Sequence, residues 1–262
     1  MAYPKPLAYN ARAAFFALFL KEIERFAKIA PHAIAAPVLT SLLYLVVFGG
    51  VLEGKMTVPD GASYADFLIP GLVMMALLQN SFANSASSIL QGKITGSIVF
   101  VLLPPFSGLQ LAAAYIGASM VRGLTVASGV LLASLLMSVP PLEHPLWALA
   151  FALLASGIMA SLGVICGLWA EKFDQMGAFQ TFVILPLTFL SGVFYSVSQL
   201  PGVWAKISLM NPFFFIIDGF RYGFFGRSDF APLLSLSVTA AAFVLVAALA
   251  GVLFVRGWKL RH

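Results

Sequence analysis

Charge is scarce in this chain of 262 residues: Asp, Glu, Lys and Arg make up 10% of it, where a soluble domain carries about a quarter. Cysteine occurs once, at Cys166, which excludes an internal disulfide framework and a thiolate metal cluster. The three histidines, His32, His144 and His262, lie far apart, so no histidine metal site is expected. Also missing are G-x-S-x-G, H-E-x-x-H and any other catalytic spacing, and no enzyme chemistry is expected. "GGVLEGKM" at 49–56 comes close to the phosphate-binding loop G-x-x-x-x-G-K-[ST]. It fails because Met56 stands where a metal-binding hydroxyl belongs and no strand precedes it. The chain therefore has no visible nucleotide site and no cofactor of its own.

What the chain has is apolar length. Hydrophobic residues make up 61%, and they gather into runs of the roughly 20 residues that cross a bilayer. Six spans are predicted, near 33–52, 64–89, 108–137, 145–169, 179–197 and 232–255. These runs are continuous rather than alternating, so the class is an all-α integral membrane protein and not a β-barrel. One transmembrane domain over 1–262 is expected, with Pro104-Pro105 and Pro140-Pro141 breaking helices at turns. No cleavable signal peptide is expected, since the first apolar run, Ala13 to Leu20, stops at Lys21 and Glu22.

Residues 9–30 predict an amphipathic helix in the cytoplasmic headgroup layer, touching membrane lipid. Its apolar side is expected to carry Phe16, Leu20, Ile23 and Ala27, with Phe19 and Phe26 alongside; Glu24 and Lys28 have ion-pair spacing. Basic residues fall mostly on the side of both termini and acids mostly on the other, which predicts both termini in the cytoplasm. The net charge of +5 then reflects loops facing the cytoplasm, and nucleic acid is not an expected partner. Arg122 stands well inside the third span and must face protein or water, or snorkel.

Three groups of residues are singled out. In the second span Asn80, Asn84, Ser87 or Ser88, and Gln91 share a helical face. Thr181, Thr188, Ser191 and Tyr195 repeat this more weakly in the fifth. Such a stripe either bonds packed helices together or lines a polar path or subunit interface. Gly163 and Gly167 form G-x-x-x-G, expected to mean close helix packing. The loop at 90–107 holds a short apolar helix reaching towards Leu103, available either to a partner or to the membrane surface. Last, "NPFFFIIDGFRYGFFG" at 211–226 belongs to a long outer segment, 198–226. It predicts two short helices split at Asn211-Pro212. Asp218 and Arg221, at i,i+3, are expected to pair and so lower the cost of charge at membrane depth.

The Asn-Pro, five residues, Asp, two residues, Arg-Tyr pattern of that segment resembles the permease subunits of type-2 ABC exporters, in the multidrug or lipid-type branch. "LPLTFLSGVFYSVSQLP" at 185–201 and the proline-ended loop after Gln91 are similar to the same family over nearly the whole chain. Gln91-Gly92-Lys93 departs from the family's acidic-basic opening of that loop. The resemblance implies a homodimer in a bacterial inner membrane, bound to separate ATPase subunits that hold ATP and Mg. It implies ATPase docking through Gln91, Lys93, Ile94, Ser97 and Phe100, and an outer re-entrant gate with Asn211, Pro212, Phe215, Asp218 and Arg221. Asn80, Asn84, Ser88, Thr188, Ser191 and Tyr195 are the candidate pathway lining. The expected function is ATP-driven export of an amphipathic, drug-like or lipid-like substrate. The alternatives are a polysaccharide or glycolipid export permease, a non-transporting membrane assembly factor, and a secondary transporter.

Overall fold

The computed structural model describes residues 11–52, 63–103, 107–197 and 202–259. The first helix, α1 (Ala11–Tyr44), passes without a break into a π-helical turn, Leu45–Gly49, and a last turn, Gly50–Leu52. The interfacial helix and the first span expected from the sequence are thus one continuous helix. Pro31 and Pro37 are accommodated inside it, as prolines are where neighbouring helices and local π geometry absorb the freed backbone groups. Two further expectations for this helix change. Leu18, Glu22 and Phe26 turn inward, whereas Phe16 and Leu20 are exposed. Glu24 and Lys28 form no ion pair; the acid in use is Glu22, 3.0 Å from Arg25.

Helix α2 (Tyr64–Ile94) starts at Ser63, whose hydroxyl accepts from the Asp66 amide, and runs through the centre of the bundle. A short α3 (Ile98–Leu102) follows, then α4 (Gly108–Ser134), opened by a capping box between Ser107 and Gln110, and α5 (Pro145–Trp169). The sixth helix, α6 (Phe173–Phe179), continues through a π-helical turn, Gln180–Ile184, into α7 (Leu185–Phe189). Turns occupy 190–195. Then come α8 (Gly202–Met210), α9 (Pro212–Phe225) and α10 (Pro232–Val255). Among the described residues five helices are long and apolar enough to cross a membrane, or six if the bent pair α8–α9 is one span. The fifth expected span, 179–197, is helical only to Phe189. There Gly192 takes a left-handed φ of 85° and the chain turns.

Packing follows from small residues. Helix α2 lies against α5 and α4, and α1 lies along α4. A Cβ on Gly163 would overlap Ser85 Oγ and the Phe82 carbonyl, and one on Gly167 would sit 2.9 Å from the Ala86 carbonyl. The G-x-x-x-G face of α5 therefore meets α2 backbone to backbone, and Ser85 Oγ donates to the Ala160 carbonyl at 2.8 Å. In lipid this closeness matters more than apolar area, because hydrocarbon solvates Leu as well as another helix does.

The bundle has two ends. At one, Lys93 Nζ meets the carbonyls of Leu168 and Ala170, and Lys259 meets Glu171. At the other, Ser138 Oγ donates to Asp66, and the amides of Glu143 and His144 donate to Phe224 and Gly223. Most of the near-match at 49–56, the Pro104-Pro105 pair and the start of the 198–226 segment lie outside the described residues.

Candidate functional site

The polar stripe of α2 is the first site to build. Asn84 accepts from two guanidinium groups at once: Arg25 Nη2 at 2.8 Å and Arg122 Nη1 at 3.3 Å both reach its Oδ1. Its Nδ2 donates to Ser119 Oγ at 2.9 Å. One turn away Ser88 Oγ donates to Glu22 Oε2 at 2.6 Å. One turn the other way Asn80 Oδ1 accepts from Arg122 Nη2 at 3.4 Å, while Asn80 Nδ2 donates to the Ala76 carbonyl. Asn80, Asn84 and Ser88 are buried and join α1, α2 and α4. The less buried face of α2 is the neighbouring one: Gln79, Ala83 and Ser87 are half-buried and Gln91 is exposed. That face, offset by one residue, was not resolved from the stripe by sequence alone. Which of two adjacent polar rows turns outward depends on where α1 packs.

Thr188 and Ser191 are also buried, and their hydroxyls donate to carbonyls within the same segment, Ile184 and Thr188. Tyr195 is half-buried, with its hydroxyl donating to the Phe189 carbonyl at 3.2 Å.

At the end carrying α3, Gln91, Ile94, Ser97 and Phe100 are exposed, Phe100 at 74%. Val99 and Leu103 extend the apolar patch. Ser97 Oγ lies 2.8 Å from Thr95 Oγ1. Lys93 behaves differently from its neighbours. It is half-buried, and its ammonium donates to the carbonyls of Leu168 at 2.6 Å, Ala170 at 2.7 Å and Gly167 at 3.4 Å. These are the orphan carbonyls of a helix C-terminus, where a cation is favoured by the aligned peptide dipoles. Lys93 thus clamps the end of α5 to the start of the α3 turn.

Among the described residues 202–226 the chain divides into two helices at Asn211-Pro212. Asn211 caps α9, accepting from the Phe213 amide at 3.0 Å, with exposed Pro212 at the first helical position. Asn211 Nδ2 also donates to the Leu187 carbonyl at 2.6 Å, and α8 and α9 meet at 90°. Phe215 stacks edge-on against Phe230. The expected Asp218–Arg221 ion pair does not form. Asp218 turns to the following loop and accepts from the amides of Asp229 at 2.7 Å and Phe230 at 3.2 Å. Arg221 turns to the other side, donating to the Gly192 carbonyl at 3.0 Å, with its guanidinium 3.8 Å from the Phe67 ring centroid. Backbone groups exposed by the two flanking turns attract each charge more closely than the two charges attract each other. Asp229 in turn accepts from Ser196 Oγ and the Val197 amide.

The three groups stay apart: an exposed apolar turn at one end, a polar seam inside, and a pinned aromatic segment at the other end. Together they define a multi-pass helical membrane protein whose buried polar groups hold helices and turns in place. The chain belongs to the ABC-2 type transporter family, whose model matches residues 13–225. It is a membrane transport subunit rather than an enzyme. It is 36% identical over 239 residues to the inner membrane transport permease YadH of Escherichia coli (strain K12), covering 89% of this chain and 92% of that one. It is 29% identical over 182 residues to nodulation protein J of Sinorhizobium fredii (strain NBRC 101917 / NGR234), covering 68% of this chain and 67% of the other. Nodulation protein J of Rhizobium leguminosarum bv. viciae is 26% identical over 192 residues, 71% of this chain and 72% of that protein.

Proposed function

We propose that this chain is the transmembrane subunit of an ATP-driven exporter in a bacterial inner membrane, working as a homodimer with both termini in the cytoplasm. A separate ABC ATPase binds ATP and Mg and supplies the motion. The observation that carries this reading is the α3 turn. It presents Ile94, Val99, Phe100 and Leu103 outward while Lys93 fixes it to α5. An exposed apolar patch on a rigid base suits a partner that pushes. Ile94, Ser97, Gln91 and Phe100 dock the ATPase, and Lys93 passes the displacement to α5. At the far end 198–226 is a re-entrant gate. The open face of α2, with Gln79, Ala83, Ser87 and Gln91, is uncharged, which suits an amphipathic, drug-like or lipid-like substrate. The similarity to an inner membrane transport permease supports the location.

Co-purification with a candidate ABC ATPase from the same bacterium tests the reading. Wild type should retain the ATPase and show vanadate-sensitive ATP hydrolysis stimulated by substrate. Phe100→Asp should fold normally and lose most of the bound ATPase. Full retention by Phe100→Asp would remove the docking role.

A further inference from the structure

Arg122 is a guanidinium near the middle of α4 that has no carboxylate at ion-pair distance among the described residues. The nearest acid of the seam, Glu22, is committed: its Oε2 takes Arg25 Nε at 3.0 Å and Ser88 Oγ at 2.6 Å. What Arg122 does have is weak. Its two bonds to amide oxygens are long, 3.3 and 3.4 Å, and Asn84 Oδ1 is shared with the closer Arg25. The Phe26 ring centroid is 5.6 Å away. Arg122 Nε is among the buried side-chain polar atoms that lack a partner among the described residues. The seam therefore holds two cations, one anion and an unused guanidinium donor.

An excess cation with an unused donor, inside an apolar bundle, calls for an anion with several acceptor oxygens. Arg122 is half-buried and remains reachable. It lies about one helical turn deeper than Arg25, since Arg122 alone reaches Asn80 while both reach Asn84. The guanidinium lies between Asn80 and Asn84, roughly 15–21 Å along α2 from its Ile94 end, so an amphiphile from the leaflet on the side of the α3 turn carries its headgroup in along the polar seam to meet it. We propose that Arg122, steered by Asn80 and Asn84, binds the phosphate of an amphiphile drawn from the leaflet on that side. Guanidinium matches phosphate with two parallel hydrogen bonds, and the tail lies along lipid-facing apolar surface. This deepens the transport reading and rests on it only for treating the ligand as cargo. Binding is measured without ATP or an ATPase, so its failure would leave that reading standing.

The test uses the purified full chain in a neutral detergent and thermal unfolding against probe concentration. The probes are dioctanoyl phosphatidic acid, dioctanoylglycerol and inorganic phosphate. Phosphatidic acid should stabilise the wild type, and Arg122→Gln should weaken its apparent affinity at least about tenfold. The exposed-cation control Lys28→Gln should bind as wild type. Arg122→Lys, which keeps the charge without the planar fork, should lose about threefold; it carries the test alone if Arg122→Gln does not fold. Unchanged affinity in the folded Arg122 variants overturns the proposal, and would fit a carboxylate from a second copy meeting this arginine. An equal response to dioctanoylglycerol overturns it as well. So does an equal response to inorganic phosphate at the same concentration, which would assign the site to a small free anion.

Discussion

Asp218 and Arg221 show how far a local pattern reaches. Their i,i+3 spacing permits an ion pair, yet each side chain caps a different turn: Asp218 the 229–230 amides and Arg221 the 192–193 carbonyls. The roles of the two residues are therefore separable. Asp218→Asn keeps one acceptor oxygen and should cost less than Asp218→Ala, which leaves two amides unpaired at about 1–3 kcal/mol in unfolding free energy. Equal midpoints for the two variants in denaturant melts would contradict the capping role. Asn211→Ala removes an N-cap worth about 1 kcal/mol and orphans the Leu187 carbonyl as well. It should loosen the α8–α9 junction, seen as faster hydrogen exchange at 211–214. The Asn-Pro cap was legible in the sequence because capping involves only neighbouring residues. The partners of Asp218 and Arg221 were not, because they are set by loops 11 and 29 residues away.

Helices in this protein are held by contacts that hydropathy does not record. Gly163 and Gly167 let α5 touch the backbone of α2, and that contact sets the centre of the bundle. Gly163→Val should disrupt it: a Cβ alone already overlaps the Phe82 carbonyl, which a side chain cannot displace. Overpacking of this kind costs about 1–3 kcal/mol or more, and the folded yield in detergent should fall sharply. Gly177→Ala meets open space and should leave the yield unchanged. Lys93→Met should free the C-terminal carbonyls of α5 and raise hydrogen exchange at 167–172, whether or not an ATPase is bound. No change there would show that the ammonium does not hold that helix end. Pattern reading located α2, α4, α5 and α10 well, since each is a long apolar run. It divided α1 in two because Lys28, His32 and Pro31 mimic a boundary. It extended the fifth span past Phe189 because Val193, Phe194 and Val197 are apolar, although they belong to turns packed beneath α9.

Across the whole molecule the two ends differ in chemistry. One carries Lys93, Glu171 and Lys259 around an exposed apolar turn; the other carries Asp66, Asp218 and Asp229, each accepting from a hydroxyl or a backbone amide. In a Cys166→Ala background, Ser97→Cys and Val139→Cys should react with an impermeant thiol reagent from opposite faces of intact membrane vesicles. Labelling of both from one face would break the topology. Hydropathy and local pattern alone determined the helical membrane class and the cap at Asn211, because these depend on apolar runs and on near neighbours. Tertiary structure alone decided that Asn80, Asn84 and Ser88 turn inward, that Arg122 has no acid at ion-pair distance among the described residues, and that Lys93 grips another helix. Those outcomes depend on which distant backbone or side-chain group arrives within hydrogen-bonding distance, and packing, not spacing along the chain, brings it there.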